Sequence, residues 1–154
     1  MNNLIRERKG MLILSLLVIL LPLGVGLFLW NQLPDQVPIH FGLNGQADNY
    51  AGKAFVVFGL PLLMAALQVL LLVVTMADPK GKNIAAKPFG LLLWICPLVS
   101  LFCGTMTYAK ALALPVDINL VGGLFLGLMF LVVGNYLPKC KQTYTVGIRL
   151  PWTL

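Results

Sequence analysis

The first part of the chain contains a long apolar run, Met11–Trp30, which reads MLILSLLVILLPLGVGLFLW. It carries no charged residue, and its length is about the 20 residues that an α-helix needs to cross a bilayer. Three more uncharged runs follow it, at Ala54–Ala77, Phe89–Ala109 and Ile118–Leu137. We therefore predict an all-α membrane protein, a bundle of four transmembrane helices that forms a single domain over residues 1–154.

The composition excludes an ordinary soluble domain. Hydrophobic residues make up 59% of the chain and charged residues only 10%, whereas soluble domains carry about 25% charged residues. The four runs are apolar all round, so they lack the polar face of a helix at a water-exposed surface. The first run is also too long for a secretory signal, whose apolar core has about 7–15 residues. It is expected to remain in the protein as a span.

Basic residues are distributed unevenly among the segments that connect the spans. Only Lys53 and Lys110 flank the loops after the first and third spans, while the other nine of the eleven basic residues lie on the opposite side: Arg6, Arg8, Lys9, Lys80, Lys82, Lys87, Lys139, Lys141 and Arg149. Such asymmetry places the richer side in the cytoplasm. We predict a bacterial plasma membrane protein with both termini inside and the loop Asn31–Lys53 outside. The net charge of +6 then reflects membrane orientation, and no nucleic-acid partner is expected.

The outer loop, residues 31–53, is expected to form a short ordered extracellular cap. Val37–Phe41 has the β-branched and aromatic content of a strand, and Asn44-Gly45 suits a tight hairpin turn. His40 and Asp48 are its chemical candidates, with two interpretations. They bind a metal or a cationic peptide, or else His40 bonds a backbone carbonyl and Asp48 caps the second helix. One histidine makes a thin ligand set, so no metal and no cofactor are predicted.

Residues within the spans suggest packing and argue against catalysis or coupled transport. Three glycines of the fourth span, Gly123, Gly127 and Gly134, share a face that either packs within the bundle or forms a homodimer. Gln68 predicts an interhelical hydrogen bond. The prolines within spans predict kinks whose freed carbonyls face protein: Pro22, Pro61 and Pro97.

The spans contain no carboxylate, lysine, arginine or histidine near their middles. An ion-coupled transporter usually has such an ionisable residue at that depth. Hydrolase and metalloprotease motifs are also absent, so an enzyme is not expected.

The tail, residues 138–154, interleaves basic and aromatic residues and contains no acid. Such a segment suits the cytoplasmic headgroup layer, where its cations meet anionic lipid. We therefore expect membrane lipids as partners of the tail.

The outer loop and the tail resemble the two signatures of the SdpI family of bacterial membrane immunity proteins. The loop matches at Pro38, His40, Phe41, Gly45, Asp48 and Lys53. The tail matches a longer and more specific pattern at Gly134, Asn135, Tyr136, Pro138, Lys139, Gly147, Ile148, Arg149, Pro151, Trp152, Thr153 and Leu154. With the spans between them, the resemblance extends over nearly the whole chain.

The resemblance implies a non-catalytic protein that protects its host membrane against a secreted peptide toxin. It also implies a charged linker and about two more spans after the Pro-Trp-Thr-Leu run, so this chain is expected to be a short or C-terminally truncated member. Two alternatives stay open from the residues alone. One is a small-solute carrier or channel, and the other is a membrane sensor that holds a cytoplasmic partner through its basic loop and tail.

Overall fold

The computed structural model describes residues 6–79 and 86–136. Four helices account for most of these residues: α1 Lys9–Phe28, α2 Leu60–Ala77, α3 Ala86–Ala111 and α4 Ile118–Tyr136. An antiparallel hairpin of two strands, β1 Gln36–Phe41 and β2 Ala47–Gly52, separates α1 from α2. The predicted helical architecture is confirmed, and the predicted strand Val37–Phe41 lies within β1.

The four predicted spans correspond to four helices that are long and apolar enough to cross a membrane. Their bounds are Lys9–Phe28, Phe55–Ala77, Pro88–Ala111 and Ile118–Tyr136. Each carries large apolar side chains that are exposed in the isolated chain, such as Leu17, Leu70, Leu98 and Leu128. These helices lack a polar face that would suit water, so a lipid environment would cover their exposed apolar side chains.

Helices α1 and α3 make the closest helix contact, and two glycines allow it. A Cβ built on Gly104 would lie 2.7 Å from the Cβ of Pro22, and one built on Gly26 would collide with the hydroxyl of Tyr108. Small residues at such positions let two backbones approach closely. The α1–α3 pair therefore depends on the absence of side chains at Gly26 and Gly104.

Pro97 interrupts the hydrogen-bond ladder of α3, and α2 supplies a replacement donor. Proline has no amide hydrogen, so the carbonyl of Leu93 loses its usual intrahelical partner. The side-chain amide of Gln68 donates to that carbonyl over 3.4 Å. The predicted interhelical hydrogen bond of Gln68 is thereby confirmed. The carbonyl oxygen of Gln68 itself is buried and has no partner in the described part of the chain.

The backbone around Pro22 is likewise covered by side chains of α3. Ser100 donates its hydroxyl hydrogen to the carbonyl of Ile19 over 2.9 Å, and Tyr108 donates to the carbonyl of Pro22 over 2.9 Å. Pro61 instead follows a π-helical turn, Phe55–Gly59, that leads into α2. At Pro97 the carbonyl that the proline frees accepts a hydrogen bond from a protein side chain, as backbone in a membrane requires. At Pro22 the side chains of α3 bond two neighbouring carbonyls.

Helix α4 lies at the periphery instead of completing a compact four-helix bundle. None of its residues is buried, and it meets α3 through stacked rings of Phe102 and Phe125 with centroids 4.1 Å apart. A Cβ built on Gly123, Gly127 or Gly134 would find nothing within 4 Å. For the described residues, the prediction that these glycines pack within the bundle is therefore wrong, because α4 contacts α3 through Phe125. Their use in a homodimer stays a prediction.

Candidate binding face at the hairpin end

The hairpin turns through a three-residue loop, Leu43–Gly45, and not through a two-residue Asn-Gly turn. Gly42 donates its amide to the carbonyl of Gln46 over 2.9 Å, and Gly45 donates to the carbonyl of Gly42 over 2.9 Å. Gly45 has a φ of +73°, which glycine adopts without a Cβ penalty. The side-chain oxygen of Asn44 accepts a hydrogen bond from the amide of Gln46 at 3.0 Å. Hydrogen bonds thus define the conformation of the loop.

His40 and Asp48 form a pair across the two strands. The distance from His40 Nδ1 to Asp48 Oδ1 is 2.6 Å, and the side chains are 69% and 51% exposed. The predicted structural roles are wrong in detail: His40 bonds a carboxylate instead of a backbone carbonyl, and Asp48 lies within β2 instead of capping the second helix. The ladder shifts register here and sets His40 opposite Asn49, so His40 reaches the residue next to its ladder partner. Side chains on two paired strands lie close enough for such a contact.

The pair contributes little to stability, because exposed ion pairs are worth about 0–1 kcal/mol. Its position in solvent leaves both side chains accessible to a partner. Among residues 6–79 and 86–136, no group of three His, Cys, Asp or Glu side chains is placed to hold a metal ion. The chemistry that the pair offers is therefore hydrogen bonding and charge recognition.

Lys53 closes the base of the hairpin, and its partners were not anticipated. Its ammonium lies 2.9 Å from Asp35 Oδ1, and its amide donates to the carbonyl of Asp35 over 3.0 Å. The same ammonium lies 5.3 Å from the ring centroid of Trp30, a cation–π distance. Trp30 in turn contacts the ring of Phe58 at 5.9 Å between centroids. These contacts fix the base of the hairpin to the end of α1 and to the π-helical turn.

An apolar cluster underneath holds the hairpin against the helices. Val37 of β1 is fully buried and packs with residues that are at most 4% exposed: Leu33, Val56, Val57 and Tyr108. Burying a side chain of this size contributes about 1.5–3 kcal/mol. The hairpin is therefore held in a fixed position on the helices, and so is its surface that faces away from them.

The tip of the hairpin is attached to the start of α4. Asp117 caps that helix by accepting the amides of Asn119 and Leu120, each at 3.0 Å. The side-chain amide of Asn119 donates to the carbonyl of Leu43 over 2.8 Å. In the sequence Asn119 lies at the start of the fourth apolar run, and only the folded chain shows that it contacts the turn.

The structure does not bring the predicted loop residues together at one site. Pro38, Phe41 and Gly45 line a cavity between the hairpin and the end of α3, whereas His40 and Asp48 do not. Lys53 lies at the base. In the tail motif, Asn135 and Tyr136 end α4, and the other predicted residues lie outside the described residues: Pro138, Lys139, Gly147, Arg149, Pro151 and Trp152.

Four apolar helices with a polar hairpin at one end define a multi-pass membrane protein. A family model described as a domain of unknown function (DUF1648) matches residues 17–65, which extend from α1 through the hairpin into α2. The immunity protein SdpI of Bacillus subtilis (strain 168) is 25% identical over 146 residues, covering 92% of this chain and 67% of that protein. These matches confirm that this multi-pass membrane protein resembles the SdpI family. No solved structure matches it.

Proposed function

We propose that this protein is a non-catalytic immunity protein that protects the membrane of its host cell against a secreted peptide toxin. The observation that carries the proposal is the similarity to immunity protein SdpI over 92% of the chain. That similarity spans the helices and the hairpin together, so it concerns the whole architecture and not one short motif.

Two features of the chain support this function. The spans hold no carboxylate, lysine, arginine or histidine near their middles, which agrees with a protein that needs neither ion coupling nor turnover. The hairpin presents an exposed His40–Asp48 pair on a base fixed by Lys53. A fixed polar surface suits capture of a peptide, because little ordering entropy is lost when the peptide binds.

The proposed mechanism requires the hairpin to face the outside of a bacterial plasma membrane. The nine-to-two distribution of basic residues supports this orientation, with both termini in the cytoplasm. A toxin that arrives from outside would then meet the hairpin before any other part of the described chain.

Cysteine labelling tests the orientation. In a variant with Cys96 and Cys103 changed to alanine, Leu43→Cys should react with a membrane-impermeant maleimide in intact cells, because the Leu43 side chain is fully exposed. Cys140 of the same protein should react only after the cells are opened. Labelling of Cys140 in intact cells, with no labelling at position 43, would reverse the proposed topology.

Protection of a toxin-sensitive strain tests the function. Cells that express the protein should keep their membrane potential when the producer's peptide is added. In the double variant His40→Ala and Asp48→Ala, the toxin dose that the cells withstand should fall by roughly thirtyfold. This is the effect expected when a binding hot spot of about 2 kcal/mol is lost. The measurement is the dose of peptide that collapses the potential, read with a voltage-sensitive dye.

The matched control changes two charges of the predicted cytoplasmic loop, Lys80→Gln and Lys82→Gln, and should leave protection intact. Membrane levels of all variants must be equal, since a loss of stability alone lowers abundance. If the Lys80 and Lys82 changes abolish protection and the hairpin changes do not, capture at the hairpin is wrong. A role for the cytoplasmic side in signalling would then replace it.

A further inference from the structure

The hairpin end contains a second candidate site, which is distinct from the His40–Asp48 pair. A cavity of about 300 Å³ lies between the hairpin and the last turn of α3. Lys110 lines the cavity from α3. The wall on the hairpin side contains two prolines, two aromatic residues and two glutamines: Pro34, Pro38, Phe41, Tyr50, Gln36 and Gln46. The volume is at the lower end of the range for ligand sites, about 300–1,000 Å³.

The charge of this cavity is positive, and no carboxylate of the described residues neutralises it. Lys110 is half-buried, and no carboxylate of the described residues lies within ion-pair distance of it. The two hairpin carboxylates are engaged elsewhere, Asp35 with Lys53 and Asp48 with His40. None of the residues that line the cavity is acidic. An anionic group is therefore the complement that this site lacks.

The remaining wall favours a peptide as the source of that anion. Proline and aromatic rings offer apolar contact, while the amides of Gln36 and Gln46 can donate to or accept from a peptide backbone. The cavity shares no lining residue with the apolar groove between α1 and α3.

We propose that this cavity binds the terminal carboxylate of a secreted peptide through Lys110, with the last side chain of the peptide against Pro38 and Tyr50. The inference rests on the proposed immunity function and names the group that the protein recognises. It also separates two contributions: the cavity holds the end of the peptide, and the exposed His40–Asp48 pair contacts a more distant part.

Ligand-detected NMR on the full chain in zwitterionic nanodiscs tests the site directly. The probes are N-acetyl-phenylalanine and its C-terminal amide, which differ only in the carboxylate. The acid should bind roughly fivefold more tightly, the gain expected of one partly exposed charge pair. Lys110→Gln should abolish this preference, and Lys110→Arg should restore it. The control Lys9→Gln, at the opposite end, should leave it unchanged.

Equal binding of acid and amide to the unmodified protein would overturn the proposal. So would a preference for the acid that survives Lys110→Gln. If phosphatidylglycerol in the nanodisc displaces the acid from the unmodified protein but not from Lys110→Gln, Lys110 is a lipid-headgroup site and the peptide assignment is overturned.

The toxin assay separates this inference from the function on which it rests. Loss of protection in Lys110→Gln, with protection by the unmodified protein, supports the site. Full protection by a Lys110→Gln variant that no longer prefers the acid overturns the site and leaves the immunity function standing. If the unmodified protein gives no protection, the proposed function is wrong, whatever the NMR titration shows.

Discussion

Replacing Tyr108 by alanine should destabilise the protein by about 3–5 kcal/mol, the usual cost of truncating a buried aromatic side chain. Tyr108 is only 4% exposed and lies in the apolar cluster that supports Val37 of the hairpin. Its removal leaves a cavity below β1 that neighbouring helices cannot fill, because α1 and α3 are already in contact at Gly104 and Pro22. The thermal midpoint in detergent should fall, and amide exchange should increase in the hairpin.

The matched variant Tyr108→Phe isolates the hydroxyl group. It keeps the ring but loses the 2.9 Å hydrogen bond to the carbonyl of Pro22. Hydrogen bonds between membrane helices contribute about 0.6 kcal/mol on average, so this variant should be much less damaged. If Tyr108→Phe is as unstable as Tyr108→Ala, the hydrogen bond and not ring packing supports the hairpin.

Gly104→Ala should separate α1 from α3, although it adds a single methyl group. That methyl would lie 2.7 Å from the Cβ and 3.0 Å from the Cγ of Pro22, and a proline ring cannot rotate away. Overpacking of this kind costs about 1–3 kcal/mol. The variant should unfold at a lower temperature, measured by the same detergent assay.

Gly24→Ala provides the control for Gly104→Ala, since a Cβ at Gly24 meets nothing within 4 Å. Both changes replace a helical glycine by alanine, which favours the helix by up to about 1 kcal/mol in water. Gly24→Ala should therefore be neutral or slightly stabilising. If Gly104→Ala is as stable as Gly24→Ala, the α1–α3 contact is looser than the 2.7 Å distance implies.

The spans were the part of the fold that sequence alone could predict. A run of uncharged residues as long as Met11–Trp30 has no stable place in water, so solvation decides its environment without knowledge of its neighbours. Which helices pack together was not predictable in this way. Helix α4, like α1, is long and apolar enough to cross a membrane, yet none of its residues is buried. Packing depends on shape, and α4 meets α3 through a phenylalanine.

The pairs of the hairpin could have been predicted from the symmetry of its sequence. His40 and Asp48 are equally far from Asn44, and so are Asp35 and Lys53. A three-residue loop centred on Asn44 predicts both pairs, and the ladder partners Val37 and Ala51 obey the same rule. The ladder shifts register at His40, which lies opposite Asn49, yet its imidazole still reaches the carboxylate of Asp48. The two-residue turn assumed for Asn44-Gly45 is centred half a residue later and hides this symmetry.

Lys110 and Tyr108 could not be recognised in the same way. They follow an apolar run in which nothing distinguishes them from residues that end a helix at the membrane surface. Their roles depend on the hairpin returning over the end of α3, which is a tertiary relation between segments more than 50 residues apart.

The peripheral position of α4 has a consequence for biosynthesis. The buried residues of the described chain all come from α1, α2, α3, the hairpin and the segments that join them, and none comes from α4. Helix α4 is translated after these residues and attaches to them through Phe125 and Asn119. We therefore expect that the first three helices can assemble before α4 inserts into the membrane.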